Sequence, residues 1–262
     1  MHTGNNMQFF YHDGFRLAFQ DDGQGEPILL IHGFASSILV NWVASNWFKT
    51  LVDAGYRVIA IDNRGHGYSS KSYNPAAYTL DLMADDAAAL LRYLRIEKAH
   101  IMGYSMGAKI AAFIALRTPK MVHTLVFGGL GIGMVRGRGD WEAIAKALLA
   151  EDPATITDPY GLIFRKFADN TKSDRKALAA CIITSREELK ADEVHCIIQP
   201  VLVAVGTKDA IAGEPQPLVA LLPNGEILVI PDRDHMLAVG DKIYKKGVLK
   251  FLERHSMHKV EC

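Results

Sequence analysis

Apolar and polar positions alternate in blocks along this chain. Short apolar runs such as 27–31 and 56–61 are each followed by a polar turn and then by a longer segment with helical spacing. Runs of this length without internal alternation are typical of strands that are buried on both faces. Because strands and helices alternate, the pattern predicts an α/β fold in which helices cover both faces of a mostly parallel sheet.

Two parts of the chain depart from this alternation. Segments 7–11 and 15–19 flank the turn Asp13-Gly14, which predicts an antiparallel hairpin at one edge of the sheet. Later in the chain, the spacing predicts three helices with no strand between them, at 141–150, 159–168 and 173–190. We therefore expect a single domain over 1–262, with a helical lid insertion at about 130–192 above the C-terminal edge of the sheet.

The composition excludes several classes of protein. Lysine and arginine number 29 and aspartate and glutamate 29, so no basic surface is expected and no nucleic-acid partner. No apolar run approaches the roughly 18 residues of a membrane span, and segment 1–6 lacks the pattern of a signal peptide. Cys181, Cys196 and Cys262 have no metal-site spacing. Reduced thiols in a cytoplasmic protein without a metal site are the simplest interpretation.

The sequence Gly103-Tyr104-Ser105-Met106-Gly107 lies between an apolar run and a helical run. A strand, a tight turn with a central serine and a helix form the arrangement known as a nucleophile elbow. The turn needs small residues two positions before and after the serine, where the backbones nearly touch, and two glycines stand there. The pattern predicts a serine hydroxyl at the C-terminal edge of the sheet, beside a helix N-terminus.

A nucleophilic serine needs a base to accept its proton and an acid to orient that base. In an open parallel sheet such groups lie in loops after other strands. Asp209 follows the predicted strand 201–205, and His235 follows the predicted strand 226–230. We predict that Ser105, Asp209 and His235 act as nucleophile, acid and base. Asp232 and Asp234 are rivals to Asp209, but they lie too near His235 in sequence to orient it easily.

With these motifs in place, the chain resembles the α/β-hydrolase fold-1 family of serine hydrolases over nearly its whole length. The His32-Gly33-Phe34 turn, the stretch 62–69, the elbow, Asp209 and His235 occur in the family order. The resemblance implies an eight-stranded sheet with a lid after the sixth strand, and a carboxylesterase-like activity. It also implies that the Phe34 N–H is one donor to the oxyanion. The Met106 N–H is the other by its position, and each is worth about 3–4 kcal/mol.

The lid contributes apolar residues, some of which pack within it while the others line the substrate pocket. They are Leu130, Ile132, Met134, Trp141, Leu148, Leu149, Leu162, Ile163, Phe164 and Phe167. Leu130 and Ile132, with Ile211 and Met236 beside the catalytic residues, are our pocket candidates. We expect small to medium uncharged carboxylic esters as substrates, extending to polyester fragments. The partial glycine motif at 129–133 has no acidic residue where a dinucleotide site needs one, so no cofactor is expected.

Two other functions remain open, and so do a monomer and a homodimer. A C–C bond hydrolase of ring-cleavage products would need a cationic clamp for a substrate carboxylate, for which Arg64 and Arg136 are candidates. A hydrolase-fold ligand-binding protein could retain the triad. Ser105 argues against the dehalogenases and epoxide hydrolases of this fold, which need a carboxylate nucleophile. We interpret His32, His66, Asp62 and Arg64 as residues that brace loops.

Overall fold

The computed structural model describes residues 7–137 and 139–257, and eight strands within these ranges form one sheet. The strands are β1 (Gln8–His12), β2 (Phe15–Asp22), β3 (Pro27–Ile31), β4 (Arg57–Ile61), β5 (Ala99–Tyr104), β6 (Val122–Gly128), β7 (Val201–Gly206) and β8 (Gly225–Ile230). Their order across the sheet is β1-β2-β4-β3-β5-β6-β7-β8. The β1–β2 and β2–β4 pairs are antiparallel and the other neighbours are parallel, which confirms the predicted edge hairpin and mostly parallel sheet.

Helices follow most of the parallel strands. They are α1 (Trp47–Asp53), α2 (Leu80–Tyr93), α3 (Met106–Arg117), α4 (Trp141–Leu149), α5 (Pro159–Asn170), α6 (Arg175–Thr184), α7 (Ala191–His195), α8 (Pro215–Val219) and α9 (Lys242–Arg254). A π-helical turn spans Leu39–Val43, and 3-10 turns span Pro75–Tyr78, Pro119–Met121, Ile132–Met134, Pro153–Thr155 and Ala238–Gly240. Side-chain caps begin several helices, since Thr79, Asp140, Asp158, Asp174 and Asp241 each accept a backbone N–H of the following turn.

Alternate residues of the parallel strands enter two separate hydrophobic cores. In β3, Leu29 and Ile31 pack on the face that carries α2 and α3, whereas Ile28 and Leu30 pack on the face that carries α1 and α9. This period of two explains why these strands contain almost no polar residues. The two covered faces leave the C-terminal edge of the sheet as the place where loops can carry functional groups.

The segment between β6 and β7, residues 129–200, is called the helical insertion below. Within its described residues it contains α4 to α7 and no strand. The helices predicted at 141–150 and 159–168 are confirmed, but the one predicted at 173–190 ends at Thr184. The chain leaves the helix there because tertiary contacts take over its backbone: the Leu189 N–H donates to Met134 O, and Lys109 Nζ donates to Glu187 O.

Some expectations fall on residues that the structure does not describe. The interpretations of segment 1–6 and of Cys262 lie outside the described residues. Among the residues that are described, no helix combines the length and the apolar character that a membrane span requires.

Candidate active site

Ser105 lies at the sharp turn between β5 and α3. Its φ of 54° and ψ of −113° place a non-glycine residue in a region that side chains rarely adopt, which is typical of a strained functional turn. A Cβ on Gly103 would lie closer than 3.0 Å to Gly107 O, and a Cβ on Gly107 would lie as close to Ile31 O. The two glycines therefore allow the close backbone approach that the elbow needs.

Ser105, His235 and Asp209 are joined by two hydrogen bonds. Ser105 Oγ lies 3.0 Å from His235 Nε2, and His235 Nδ1 lies 2.8 Å from Asp209 Oδ2. The Asp209 side chain is fully buried, and its Oδ1 accepts the N–H groups of Ile211 and Ala212, each at 2.9 Å. With Nδ1–H donating to the carboxylate, the lone pair of Nε2 faces the serine hydroxyl. This arrangement can remove the proton of the hydroxyl.

The other acidic residues near His235 have different partners. Asp232 forms a 3.0 Å ion pair with Lys208 at the surface. Asp234 Oδ1 accepts the N–H groups of the second and third residues after it, at 3.0 and 2.8 Å, and so closes the turn that carries the histidine. Of the three candidate carboxylates, Asp209 is therefore the one that contacts the imidazole.

The turn that follows β3 lies against the elbow. A Cβ on Gly33 would be 3.2 Å from Tyr104 O and 3.4 Å from Ser105 Cβ. The Gly33 N–H donates to Asn41 Oδ1 at 3.3 Å, which holds this turn in place. Within the described residues the Phe34 N–H has no acceptor, and Met106 is the first residue of its helix and has no intrahelical acceptor. Two backbone donors are thus available beside the serine.

A cavity of about 130 Å³ opens onto Ser105 and His235. Its lining comes from the turn after β3, from the elbow, from α5 of the helical insertion and from the loop after β8. The lining residues are Gly33, Phe34, Ser36, Val40, Asn41, Tyr104, Ser105, Phe164, Phe167, His235, Met236 and Val239. Most of them are apolar, so the cavity can exclude water around a bound acyl group.

Comparison with known proteins supports the fold. The family model for the alpha/beta hydrolase fold matches residues 26–136. A crystal structure of a hydrolase from Pseudomonas aeruginosa is similar over 95% of this chain and 99% of its own, with 26% identity and a TM-score of 0.79. The chain has the α/β-hydrolase fold.

Relatives of this α/β hydrolase have diverse activities. The dihydrolipoyllysine-residue acetyltransferase component of the acetoin cleaving system of Pseudomonas putida is 29% identical over 88% of this chain, which spans 64% of that protein's length. A non-heme chloroperoxidase of Kitasatospora aureofaciens is 26% identical over 92% of this chain and 98% of its own. Esterases and a meta-cleavage product hydrolase are among the structural neighbours, at 22–24% identity. Likeness to these proteins leaves the reaction of this chain undecided.

The predicted pocket residues divide into two groups. Met236 lines the cavity beside Ser105, whereas Leu130, Ile132 and Ile211 are not among its described lining residues, and their assignment to the substrate pocket stays a prediction. Backbone hydrogen bonds tie the segment after β6 to the loop after β7. The N–H groups of residues 131 and 133 donate to Ala212 O, and that of Ile132 donates to Glu214 O. These bonds hold the segment against the loop after β7, where Ile132 and Asp209 line a second pocket.

The loop residues interpreted as braces have structural partners in this hydrolase. Burial lowers the pKa of His32 to about 4 and that of His66 to about 3, so both rings are neutral at pH 7. Arg64 binds both oxygens of Asp86 through Nε and Nη2, at 2.6 and 2.7 Å. Within the described ranges, no group of three or more His, Cys, Asp or Glu side chains is arranged to hold a metal ion.

Two polar side chains near the cavity were not predicted. Asn41 lines it, and its Nδ2 is buried without a hydrogen-bond partner in the described structure. Arg186, between α6 and α7, places its guanidinium 5.1 Å from the ring centre of Phe34 and 4.6 Å from that of Trp141. Neither residue belongs to a motif, and Arg186 is followed by two glutamates, a pattern typical of an exposed helix end. No signal in the sequence distinguishes these two residues.

Proposed function

We propose that this α/β hydrolase is a serine carboxylester hydrolase that cleaves small to medium esters through an acyl-enzyme intermediate. The observation that carries the proposal is the continuous hydrogen-bonded series of Ser105, His235 and Asp209 at the mouth of a small, mostly apolar cavity. A carboxylate, an imidazole and a hydroxyl in this order activate the hydroxyl for attack on an acyl carbon.

In the first half of the reaction, Ser105 Oγ attacks the ester carbonyl carbon while His235 Nε2 accepts the serine proton. Asp209 holds the Nδ1–H and stabilises the imidazolium that forms. The carbonyl oxygen becomes an oxyanion, and the N–H groups of Phe34 and Met106 are the donors proposed to bind it. The tetrahedral intermediate then breaks its bond to the alcohol oxygen, which takes the proton from His235 and leaves.

In the second half, a water molecule gives a proton to His235 and attacks the acyl-enzyme carbon. The second tetrahedral intermediate releases Ser105, which recovers the proton from the imidazole.

The cavity of about 130 Å³ supports a preference for short acyl groups, because its walls include Phe164, Phe167 and Met236. The proposal includes promiscuity towards short polyester fragments.

The proposed location is the cytoplasm. Cys181 and Cys196 carry free thiols, and Cys181 is buried. Thiols persist in the reducing cytoplasm, whereas secreted proteins commonly oxidise them to disulfides. The free thiols therefore support an intracellular hydrolase.

The Ser105→Ala variant tests the proposed reaction. We expect the wild type to hydrolyse p-nitrophenyl butyrate and the variant to lose roughly 10⁴-fold or more in kcat, because the nucleophile is removed. An organophosphonate should add one adduct to Ser105, located by peptide mass spectrometry.

The Ser72→Ala variant is the matched control. Ser72 lies outside the cavity lining, so this variant should keep both turnover and labelling. A folded wild type that neither reacts with the phosphonate nor hydrolyses short esters would refute the proposal.

A further inference from the structure

Arg186 is not among the described lining residues of the cavity, but it contacts an aromatic residue that is. Its guanidinium packs against Phe34, which lines the cavity, and against Trp141 at the start of α4. Guanidinium groups stack on aromatic faces and leave their N–H edges free to donate hydrogen bonds. The two aromatic rings therefore fix the position of this cation relative to Ser105.

Two N–H groups of Arg186 lack an acceptor. Nε and Nη2 are buried, and neither has a hydrogen-bond partner among the described residues. These two atoms form one edge of the guanidinium, and that edge matches the two oxygens of a carboxylate. Three other arginines of this chain use the same edge in this way, in the pairs Arg57–Asp21, Arg64–Asp86 and Arg117–Asp85.

A second cation increases the positive charge at this place. Lys109 of α3 is 4% exposed, and its Nζ donates to Glu187 O at 2.9 Å. Burial, with the charge of Arg186, lowers the pKa of Lys109 to about 8, and burial lowers that of Arg186 to about 10. Both groups are still cations at pH 7. Glu187 and Glu188 act electrostatically on Lys109, whereas no carboxylate of the described residues acts in this way on Arg186. A buried cation without an anion is costly, so Arg186 favours an anionic ligand.

We infer that Arg186 binds a carboxylate of the substrate through Nε and Nη2, while Lys109 adds to the positive charge of the site. The inference rests on the proposed function, in which Ser105 attacks the acyl carbon. It gives the substrate class: an ester whose acyl or alcohol part carries a carboxylate a few atoms from the reacting carbonyl. This class replaces the uncharged esters expected from the sequence, and Arg186 becomes its specificity-determining residue.

A pair of esters of equal shape tests the preference. The acyl group of p-nitrophenyl hemisuccinate ends in a carboxylate, and that of p-nitrophenyl 4-methylpentanoate ends in an isopropyl group. The pair 3-acetoxybenzoate and 3-isopropylphenyl acetate places the same difference in the leaving group. We expect a kcat/KM at least about tenfold higher for the charged member of one pair, and the responding pair tells which part of the substrate meets Arg186.

Variants of Arg186 assign this preference to the guanidinium. Arg186→Met keeps the apolar contacts with the two rings but removes the cation, so it should bring the charged-to-neutral ratio close to one by lowering kcat/KM for the charged ester. Arg186→Lys keeps a cation but lacks the two-donor edge, so it should retain only part of the ratio. Arg117→Met is the matched control, because Arg117 lies at the C-terminal end of α3 and pairs there with Asp81 and Asp85. The charged-to-neutral ratio of this variant should equal that of the wild type.

Binding to an inactive protein separates this inference from the proposed reaction. In the Ser105→Ala background, calorimetry should show succinate or glutarate binding at least about tenfold more weakly after Arg186→Met. If no ester is hydrolysed but this difference is found, the proposed reaction fails and the carboxylate site stands. Should Arg186→Met not fold, Arg186→Lys makes the comparison, with at least threefold weaker binding expected. Equal turnover of both members of each pair, together with unchanged dicarboxylate binding in the variants, would overturn the inference.

Discussion

Tyr104, the residue before the proposed nucleophile, also holds the proposed base, His235. Tyr104 is buried, its hydroxyl donates to His235 O at 2.6 Å, and its ring centre lies 5.5 Å from the imidazole. The elbow and the loop after β8 are 130 residues apart in the chain, and this one side chain joins them. Tyr104 is thus a positioning residue, since it acts on the reaction through the histidine.

Tyr104→Phe should lower kcat several-fold with little change in KM, because the histidine loop loses a hydrogen bond while the cavity keeps its shape. The free energy of unfolding of the variant should also be about 1 kcal/mol lower than that of the wild type. Steady-state kinetics and urea denaturation measure the two effects. Tyr78→Phe is the control: its buried hydroxyl also donates to a backbone carbonyl, that of Ser72, outside the cavity lining. Equal kcat losses in both variants would contradict a specific role for Tyr104.

The candidate residues that could be predicted from the sequence are those that local rules place. Ser105 has a recognisable turn around it, and Asp209 and His235 follow strands whose apolar runs are visible in the sequence. Arg186 and Asn41 could not be found in this way. Their importance comes from contacts with distant residues, such as the Phe34 ring, and no spacing rule encodes such contacts.

At the scale of elements, the elbow depends on two backbones approaching each other more closely than side chains permit. β5 enters the turn and α3 leaves it, with β3 alongside. Gly107 lies where the first turn of α3 touches the end of β3. A methyl group at this position would have to displace backbone rather than a flexible side chain.

Gly107→Ala should therefore greatly reduce the yield of folded protein or lower its melting temperature by many degrees, and abolish ester hydrolysis. Gly240→Ala is the matched control, since the nearest atom to its Cβ would be Ser45 Cβ at 3.8 Å. Circular dichroism melting curves of both variants make the comparison. A Gly107→Ala protein as stable as Gly240→Ala would show that the contact is not essential.

Elements were predicted best where one rule dominates. The strands β3, β4 and β7 are short apolar runs between turns, and their bounds agree closely with the expectation. The third helix of the helical insertion was predicted too long, because the polar residues after Thr184 suit a helix locally but bond instead to Lys109 and to the segment at 134–137. Tertiary contacts of a similar kind act on the segment after β6, where Gly131, Ile132 and Gly133 pair with the loop after β7 through backbone hydrogen bonds.

At the scale of the whole molecule, several ionisable groups are buried in forms set by folding. Burial lowers the pKa of His32, His66 and His100 to about 4, 3 and 4, well below the value near 6.5 of an unfolded chain. Burial raises the pKa of Asp62 to about 6. The histidines are neutral in the folded protein over a range where the unfolded protein binds protons.

Stability should therefore fall as the pH falls from about 6.5 to 4. In this range the unfolded chain binds up to three more protons through the histidines, so the free energy of unfolding increases with pH. Asp62 opposes this by one proton between about pH 3.9 and 6, because it is protonated in the folded state. On balance, the chain takes up about two protons when it unfolds in this range. The difference between the urea midpoints at pH 7 and pH 5 measures this uptake. A midpoint that is equal or higher at pH 5 would contradict this account.

The helical insertion supplies Phe164 and Phe167 to the cavity and also carries Arg186, while Ser105, Asp209 and His235 lie outside it. Under the proposed function, selectivity and reactivity are thus encoded in separate stretches of the gene. Exchanging residues 140–196 for the corresponding stretch of a related hydrolase should give this chain the substrate range of that hydrolase, while Ser105, Asp209 and His235 stay unchanged. Natural diversification of such enzymes can follow the same route, with one stretch free to vary while the rest is conserved.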